Sequence, residues 1–427
     1  MRAAVLVLAL LVAAPGVAQA ERVTRERLPN GLSVIVRENP LAPVVAVTLL
    51  VDMGSRLERP ETVGISNFVH DLMIQATRKR GGTELAETMA NLGGKISAAG
   101  DVDYSGIRAT ALARFWREAL DLVAEIALEP KLTAEDALGS RDFLLSRVQR
   151  RQDNPASRAF DEFYAVLYGA HPYGLPSLGT RDALNRISHA AAVAHYQAFY
   201  RPERMVLAVS GQVTPADVVQ QARRLFGGMP GGGTVSDAAI PAPVARPQRV
   251  VIEQPAQQVQ ILAGGIAPAL NDPDHAAVKV LSTVLGGGMA GRLFSELRDK
   301  RGLAYTATSY YDPVREPGAL VLYLGTAPQN AARAEEALVA EIARIKTQPV
   351  SAEELARAKG YLLGRYAMDR RTNERQAWYL AFYELARAGA DYPERYRRAV
   401  EAVTAADVQR VAQRYLAAPT VLVLRPK

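Results

Sequence analysis

The chain repeats one segment of its own sequence at a distance of 218 positions, with Thr133 to Arg147 as TAEDALGSRDFLLSR and Ser351 to Arg365 as SAEELARAKGYLLGR. The two segments align without a gap and share Ala, Glu, two Leu and Arg. Each follows an AEIA-containing helical pattern and a Pro, in LDLVAEIALEP and ALVAEIARIKTQP. A repeat with this long a period indicates a duplicated domain, so two similar folding units are expected.

The domain boundaries follow from the composition between the two copies. A length of 427 residues accommodates two domains of about 200 residues each. Residues 227–248, GGMPGGGTVSDAAIPAPVARPQ, are rich first in Gly and then in Pro, which is typical of a linker. We therefore predict an N-terminal domain over 21–226, a linker over 227–248 and a C-terminal domain over 249–427.

Hydrophobic patterns predict the same mixture of elements in both halves. Residues 31–39 and 44–54 are β-branched and apolar, and we expect them to be paired strands. Periods of 3.6 residues predict helices over 64–73 and, in the second half, near 275–285, 329–347, 351–366 and 373–388. Because strands and helices occur in groups, the expected class is α+β: two homologous domains, each a mostly antiparallel sheet with helices on one face.

The first twenty residues have the composition of a secretory signal peptide. One Arg precedes an apolar run, a Pro-Gly break follows, and Ala18 and Ala20 suit a signal peptidase that accepts small side chains. We expect residues 1–20 to be removed and the protein to act in the periplasm. The apolar run is too short for a transmembrane anchor, and without Cys the chain has no thiols for disulfides, metal or catalysis.

The net charge of +7 is dispersed among acidic residues. No basic stripe with interleaved aromatic residues is present, so nucleic-acid binding is not expected.

The stretch GISNFVHDLM, residues 64–73, places polar groups on one face of a predicted amphipathic helix. Asn67, His70 and Asp71 stand at positions i, i+3 and i+4. This is the spacing in which two His and a Glu would hold and use a zinc ion.

An ordered set of further motifs accompanies this helix: LPNGLSVIVREN, ANLGGKISAAGDVDYSG, RRQDNP, HPYGLPSLGT, YRPERMVLAVSGQV and LGGGMAGRLFSELRDKRGLAYTATS. From about residue 22 to the C-terminus the chain resembles the pitrilysin/insulinase zinc peptidases, the inverted-motif class that includes mitochondrial processing peptidase. The resemblance implies two domains that form half of a clamshell peptidase chamber.

The resemblance also implies which residues would form a zinc site. Family members carry H-x-x-E-H, with a Glu 75 to 80 residues later as the third ligand. These positions hold Asn67 (first ligand), His70 (general base), Asp71 (second ligand) and Arg147 (third ligand). An amide is a poor zinc ligand and an Arg repels the ion, so no metal is expected in this chain and zinc is expected in a partner subunit.

Two alternatives remain for these residues. His70 and Asp71 could bind an adventitious metal, or His70 could act as a base without metal, although no G-x-S-x-G motif accompanies it. Asp71 and Arg147 could instead form a salt bridge that links two helices where the metal would be.

The family's substrate-binding features are retained. The resemblance places Arg298 and Tyr305 on an Arg/Tyr pair that reaches substrate across the chamber, where their donors could stabilise an oxyanion; without the resemblance they would be a solvated Arg and a packed Tyr. Gly286, Gly287 and Gly288 match a glycine-rich turn that either contacts substrate or ends a helix. An edge strand that pairs with peptides corresponds to Gly94, Lys95, Ile96, Ser97, Ala98 and Ala99.

The sequence thus favours a zinc-free subunit that pairs with an H-x-x-E-H peptidase, binds unfolded peptide and supplies Arg298 and Tyr305 in trans. The alternative is a peptide-binding or scaffold protein without catalytic activity, as a homodimer.

Overall fold

A computed structural model describes residues 23–231, 240–244, 247–312 and 314–427 of the chain. The predicted signal peptide and part of the predicted linker lie outside these residues. One helix ends at Phe226 and the next strand begins at Arg249, the residues that flank the predicted linker. Among the described helices, none is long and apolar enough to cross a membrane.

The first half contains the following elements: β1 (Val23–Arg27), β2 (Ser33–Glu38), β3 (Val44–Val51), α1 (Ile65–Met73), α2 (Gly82–Asn91), β4 (Lys95–Gly100), β5 (Ser105–Leu112), α3 (Trp116–Leu128), α4 (Ala134–Asp153), α5 (Pro155–Tyr168), α6 (Arg181–Arg186), α7 (His189–Phe199), β6 (Met205–Gly211) and α8 (Pro215–Phe226). The second half contains β7 (Arg249–Gln254), β8 (Val259–Ile266), α9 (His275–Gly286), a π-helical segment (Leu293–Lys300), β9 (Thr306–Tyr310), β10 (Ala319–Thr326), α10 (Ala331–Thr347), α11 (Ala352–Asp369), α12 (Asn373–Leu385), α13 (Tyr392–Ala402), α14 (Ala405–Tyr415) and β11 (Thr420–Pro426).

Apart from β1, which has no counterpart among the described strands of the second sheet, the two sheets have the same topology. The first has the strand order β1-β2-β6-β3-β5-β4 and the second β7-β11-β8-β10-β9. In each sheet one pair is parallel, β2 with β6 and β7 with β11, and the other pairs are antiparallel. The repeated segments form α4 and α11, whose N-cap residues Thr133 and Ser351 both accept a hydrogen bond from the third helical residue. The α+β class and the duplication predicted from the sequence are both present.

The predicted pairing of residues 31–39 with residues 44–54 is wrong. Strand β6, which begins 154 residues after β3 ends, lies between β2 and β3 and pairs with both. Ile35 and Thr48 both face Ala208 in the register. Neighbouring strands in sequence are neighbours in a sheet only most of the time, and no local pattern indicates that a distant strand inserts between them.

The two halves have exchanged one helix each, α12 and α5. Alternate residues of β3, such as Val47 and Leu49, pack in the core of the first half, whereas Ala46 and Leu50 pack in the second core with Ala381 of α12. Correspondingly, α5 of the first half packs on β8 and β11 of the second. Each sheet therefore has helices of its own half on one face, as predicted, and a helix of the other half on the opposite face.

Candidate functional site

The start of α1 is fixed by a buried carboxylate and by two glycines. Glu58 accepts hydrogen bonds from the backbone N–H groups of Gly64 (2.6 Å) and Ser66 (2.8 Å), which satisfies donors that a helix leaves free at its first turn. Gly64 has φ +97°, and a Cβ there would lie 2.7 Å from the Cα of Gly179. The helix is thus held against the loop at residues 177–180.

Asn67 joins α1 to two other segments. Its Nδ2 donates to the carbonyl of Ser177 at 2.7 Å, and its Oδ1 accepts from the backbone N–H of Gly100 at 3.1 Å. The side chain is buried. At the position of the first zinc ligand, this chain therefore has an amide that fixes the end of β4 to the 177–180 loop.

His70 is fully buried, and both of its ring nitrogens are engaged. Nδ1 lies 2.8 Å from the carbonyl oxygen of Ser66 and donates to it, and the hydroxyl of Tyr200 donates to Nε2 at 2.8 Å. Burial lowers the pKa of His70 to about 4, so the ring is neutral at physiological pH. With no free lone pair and no solvent access, His70 does not have the geometry of a metal ligand or an accessible base.

The predicted ion pair between Asp71 and Arg147 is not formed. Burial raises the pKa of Asp71, while Ser140, Gln75 and, least of all, the charge of Arg147 oppose this shift. In the described part of the chain no cation lies within 4.0 Å of the Asp71 carboxylate. Arg147 instead extends over the ring of Phe143, 5.8 Å from its centroid, because it is only partly buried and gains contact there without losing its hydration.

These four side chains do not fit a zinc ion. Asn67 and His70 are committed to hydrogen bonds within the protein, Asp71 alone cannot make a site, and Arg147 adds a positive charge nearby. No group of three or more His, Asp or Glu residues suited to a metal ion occurs among the residues that the structure describes.

Among the residues that the structure describes, β4 lies at the edge of the first sheet and pairs only with β5. The N–H of Asp101 donates to Tyr104 at the end of this pair. Because the hydrogen-bonding direction alternates along an antiparallel strand, the N–H groups of Ile96, Ala98 and Gly100 point away from β5. Asn67 occupies the outward N–H of Gly100, and those of Ile96 and Ala98 remain at the open edge.

Two family models match consecutive parts of the sequence. "Insulinase (Peptidase family M16)" matches residues 33–181, and "Peptidase M16 inactive domain" matches residues 186–362. An uncharacterised zinc protease of Mycobacterium leprae is 30% identical over 355 residues, which cover 81% of this chain and 79% of that protein. The chain belongs to peptidase family M16.

Other similar proteins agree with this assignment. An uncharacterised zinc protease of Mycobacterium bovis is 29% identical over 405 residues, covering 94% of this chain and 92% of that protein. A peptidase M16 inactive domain from Pseudomonas fluorescens has the same fold, with a TM-score of 0.87 at 22% identity over 95% of this chain and 98% of that one. The protein is thus an inactive-type M16 member whose inverted-motif positions do not form a zinc site.

The glycine-rich turn of this M16 chain has structural reasons for its glycines. A Cβ on Gly286 would lie 2.0 Å from the backbone nitrogen of Ser309 in β9, and one on Gly287 would lie 2.4 Å from the carbonyl of Thr283. Gly288 has φ +75°, which favours glycine. The turn therefore ends α9 against β9, and a contact with substrate stays a prediction.

Arg298 and Tyr305 both lie on the surface. Arg298 is near the end of the π-helical segment and lies over the ring of Phe294, 4.7 Å from its centroid. Tyr305 precedes β9 and has 59% of its surface exposed. Within the described residues, neither side chain has a hydrogen bond or ion pair, so their donors are available to an external partner.

One feature was missed by the sequence analysis: an aromatic cavity of ≈450 Å³ between the two halves. Its lining includes Tyr104, Tyr164, Tyr168, Trp378, Tyr379 and Phe382. The sequence signal for this cavity was a clustering of aromatic residues in α5 and α12, the two exchanged helices. Positions 160 and 164 of α5 are equivalent in the repeat to positions 378 and 382 of α12, and all four are aromatic. The turn after β4, residues 101–104, and Ser177 also line this cavity.

Proposed function

We propose that this protein is a peptide-binding, zinc-free subunit of a two-chain M16 peptidase. The observation that carries the proposal is the contrast between two surfaces. Asn67 and His70 of α1 are buried and hydrogen-bonded within the protein, whereas Arg298, Tyr305 and the edge of β4 are open. A chain that kept its substrate surfaces and lost its zinc site is suited to complement a zinc-bearing partner.

In the proposed complex the partner carries H-x-x-E-H and binds the zinc ion. An extended peptide pairs with β4 through main-chain hydrogen bonds. The guanidinium of Arg298 and the phenol of Tyr305 donate to the carbonyl oxygen of the bound peptide and to the negative charge that develops on it. The sequence of residues 1–20 supports a periplasmic location for the complex.

Isolation of the complex tests the partnership. The protein, tagged at its C-terminus, is purified from its own envelope fraction, and the proteins bound to it are identified. We expect an M16 subunit with H-x-x-E-H at one copy per chain. Recovery of the protein alone, as a monomer or a homodimer, would instead support the peptide-binding or scaffold alternative.

Substitution of the Arg/Tyr pair tests its role in trans. Arg298→Ala and Tyr305→Phe, mixed with the zinc-bearing partner, should each lower kcat about 100-fold or more, the usual cost of one oxyanion donor. The matched controls are Arg301→Ala, a neighbouring exposed Arg, and Tyr310→Phe, a partly exposed Tyr on β9. If Arg298→Ala and Tyr305→Phe both left the rate of peptide cleavage unchanged, the proposed catalytic role would be wrong.

A further inference from the structure

We infer that the aromatic cavity between α5 and α12 is a pocket for a single aromatic side chain of the peptide that pairs with β4. This inference rests on the proposed peptide binding. It specifies the substrate class, which is extended peptides with a Phe, Tyr or Trp near one end of the bound segment.

The cavity begins where the open edge of β4 ends. Asn67 holds the outward N–H of Gly100, so a peptide paired with Ile96 and Ala98 can make no further ladder bond at Gly100. The next residues, Asp101 to Tyr104, form one wall of the cavity, and Ser177, the second partner of Asn67, lies in another. A peptide leaving the edge of β4 is therefore delivered to the cavity in a fixed register.

The cavity is large enough to admit one aromatic side chain. At ≈450 Å³ it falls in the ordinary range of ligand pockets, roughly 300 to 1,000 Å³. Asp101 and Asp312, two of its lining residues, are exposed, so the cavity is open to solvent.

The walls present rings whose own polar groups are mostly satisfied. The Nε1 of Trp378 donates to the hydroxyl of Tyr104 at 3.1 Å, and the hydroxyl of Tyr168 donates to the carbonyl of Pro317 at 3.1 Å. Trp378 and Phe382 stack with centroids 5.0 Å apart, and Tyr104 meets both edge-on. A further aromatic ring can pack against this wall, because aromatic rings prefer stacked or edge-to-face contacts.

Arginines of the chain itself limit the access of a cationic ligand to the ring of Trp378. The chain's own arginines already occupy the neighbourhood of Trp378: Arg375 lies 4.7 Å and Arg108 5.8 Å from its ring centroid. Arg151 is held by Asp161 through two hydrogen bonds, at 2.6 and 2.7 Å. The hydroxyl of Tyr164 has no hydrogen-bond partner among the described residues, and could bind a Tyr or Trp ligand's polar group.

A position scan on the full chain tests the pocket directly. Acetylated eight-residue Thr/Ser peptides carry one Phe at each position in turn, and their affinities are measured by calorimetry against the peptide without Phe. We expect a gain of roughly tenfold or more, the value of burying one aromatic ring, at one or two adjacent positions toward one end. A Lys scan of the same peptides should show no gain there.

Two variants connect the gain to the structure. Val102→Phe places a ring in the cavity from the turn after β4. It should abolish the gain in affinity from Phe while leaving the affinity of the peptide without Phe unchanged. The control Val251→Phe makes the same change on β7, outside the cavity, and should leave the gain intact. Ala98→Pro removes an outward N–H of β4 and should weaken all the peptides by the same factor.

The outcomes separate the two proposals. If peptides bind and Ala98→Pro weakens them, but Phe gains nothing at any position or Lys gains more, the pocket is wrong and peptide pairing with β4 stands. If none of the peptides binds, peptide binding by this subunit is wrong, and the pocket fails with it. Even if a variant does not fold, the scan on the unsubstituted protein decides whether peptides bind and whether the pocket accepts Phe.

Discussion

At the scale of single residues, Asn67 and His70 are buried and hydrogen-bonded at two positions of the inverted motif. His70 and His195 are both held neutral by burial, with a pKa of about 4 for each. In the unfolded chain a His has a pKa near 6.5. Between these values the unfolded state binds more protons than the folded state, so the free energy of unfolding falls as the pH falls from about 6.5 to 4.

This linkage predicts that the free energy of unfolding depends on pH and that His70 makes a measurable contribution to the dependence. Between pH 7.5 and pH 5, His70 should remove about 2 kcal/mol from the free energy of unfolding. His70→Gln should reduce the loss by that amount, as measured by urea unfolding at both pH values. Burial raises the pKa of Glu58 and Asp103, which acts in the opposite direction, but the difference between the two proteins cancels their effect. Equal losses in both proteins would contradict the prediction.

Substitution of Arg147 should change the free energy of unfolding by less than the sequence suggested. Because it makes no direct ion pair with Asp71 and is partly exposed, Arg147→Glu should lower the free energy of unfolding by less than about 1 kcal/mol. Arg147→Ala should be nearly neutral. Urea unfolding measures both changes. A loss of 3 kcal/mol or more for Arg147→Glu would show that the two side chains form a buried pair in solution.

At the scale of single elements, β4 should have two alternating sets of amides. Those of Ser97 and Ala99 face β5 and donate within the sheet, whereas those of Ile96 and Ala98 face the open edge. Hydrogen exchange by NMR should therefore find the first set protected and the second set fast. Addition of a bound peptide should protect Ile96 and Ala98 selectively. The absence of any change at these two amides would contradict pairing with β4.

Proline substitutions give a second prediction for β4. Ala98→Pro removes an N–H that has no partner in the sheet, so it should change the free energy of unfolding by less than about 1 kcal/mol. Ala99→Pro removes a ladder hydrogen bond and should cost about 3 kcal/mol. Thermal or urea unfolding of the two variants makes the comparison. Equal costs would show that the hydrogen-bonding register of β4 is different.

Elements were predictable from the sequence where the information was local. The opening helix and α4 and α11 follow from their apolar spacing, and the repeat correctly indicated two similar units. The position of β6 between β2 and β3 was not predictable, because the pairing joins segments far apart in the chain. The hydrogen-bond partners of Asn67 were not predictable for the same reason. Ser177 is 110 residues away, and no sequence pattern near either residue indicates the contact.

At the scale of the whole molecule, the exchanged helices make the two halves mutually dependent. The sequence predicted an α+β fold in two domains, but a local pattern does not say whether an apolar face of a sheet is covered by its own half or by the other. Asn373 at the start of α12 donates to the carbonyl of Val44 at 3.0 Å and accepts from Asn39 at 2.9 Å. The aromatic cavity, which lies between the two exchanged helices, exists only when both halves are folded together.

This arrangement predicts one cooperative unfolding transition for the whole molecule. Phe163 on α5 is fully buried against the second sheet, with Leu262 and Leu422 in the same cluster, so Phe163→Ala should lower the free energy of unfolding by about 3 to 5 kcal/mol. The control Phe143→Ala, on an exposed part of α4, should cost less than about 1 kcal/mol. Calorimetry should show a single peak in each protein, and hydrogen exchange should show equal loss of protection for core amides of β3 and β10. Two separate peaks, or a loss confined to one sheet, would mean that the halves unfold independently and that the exchanged helices contribute little to joining them.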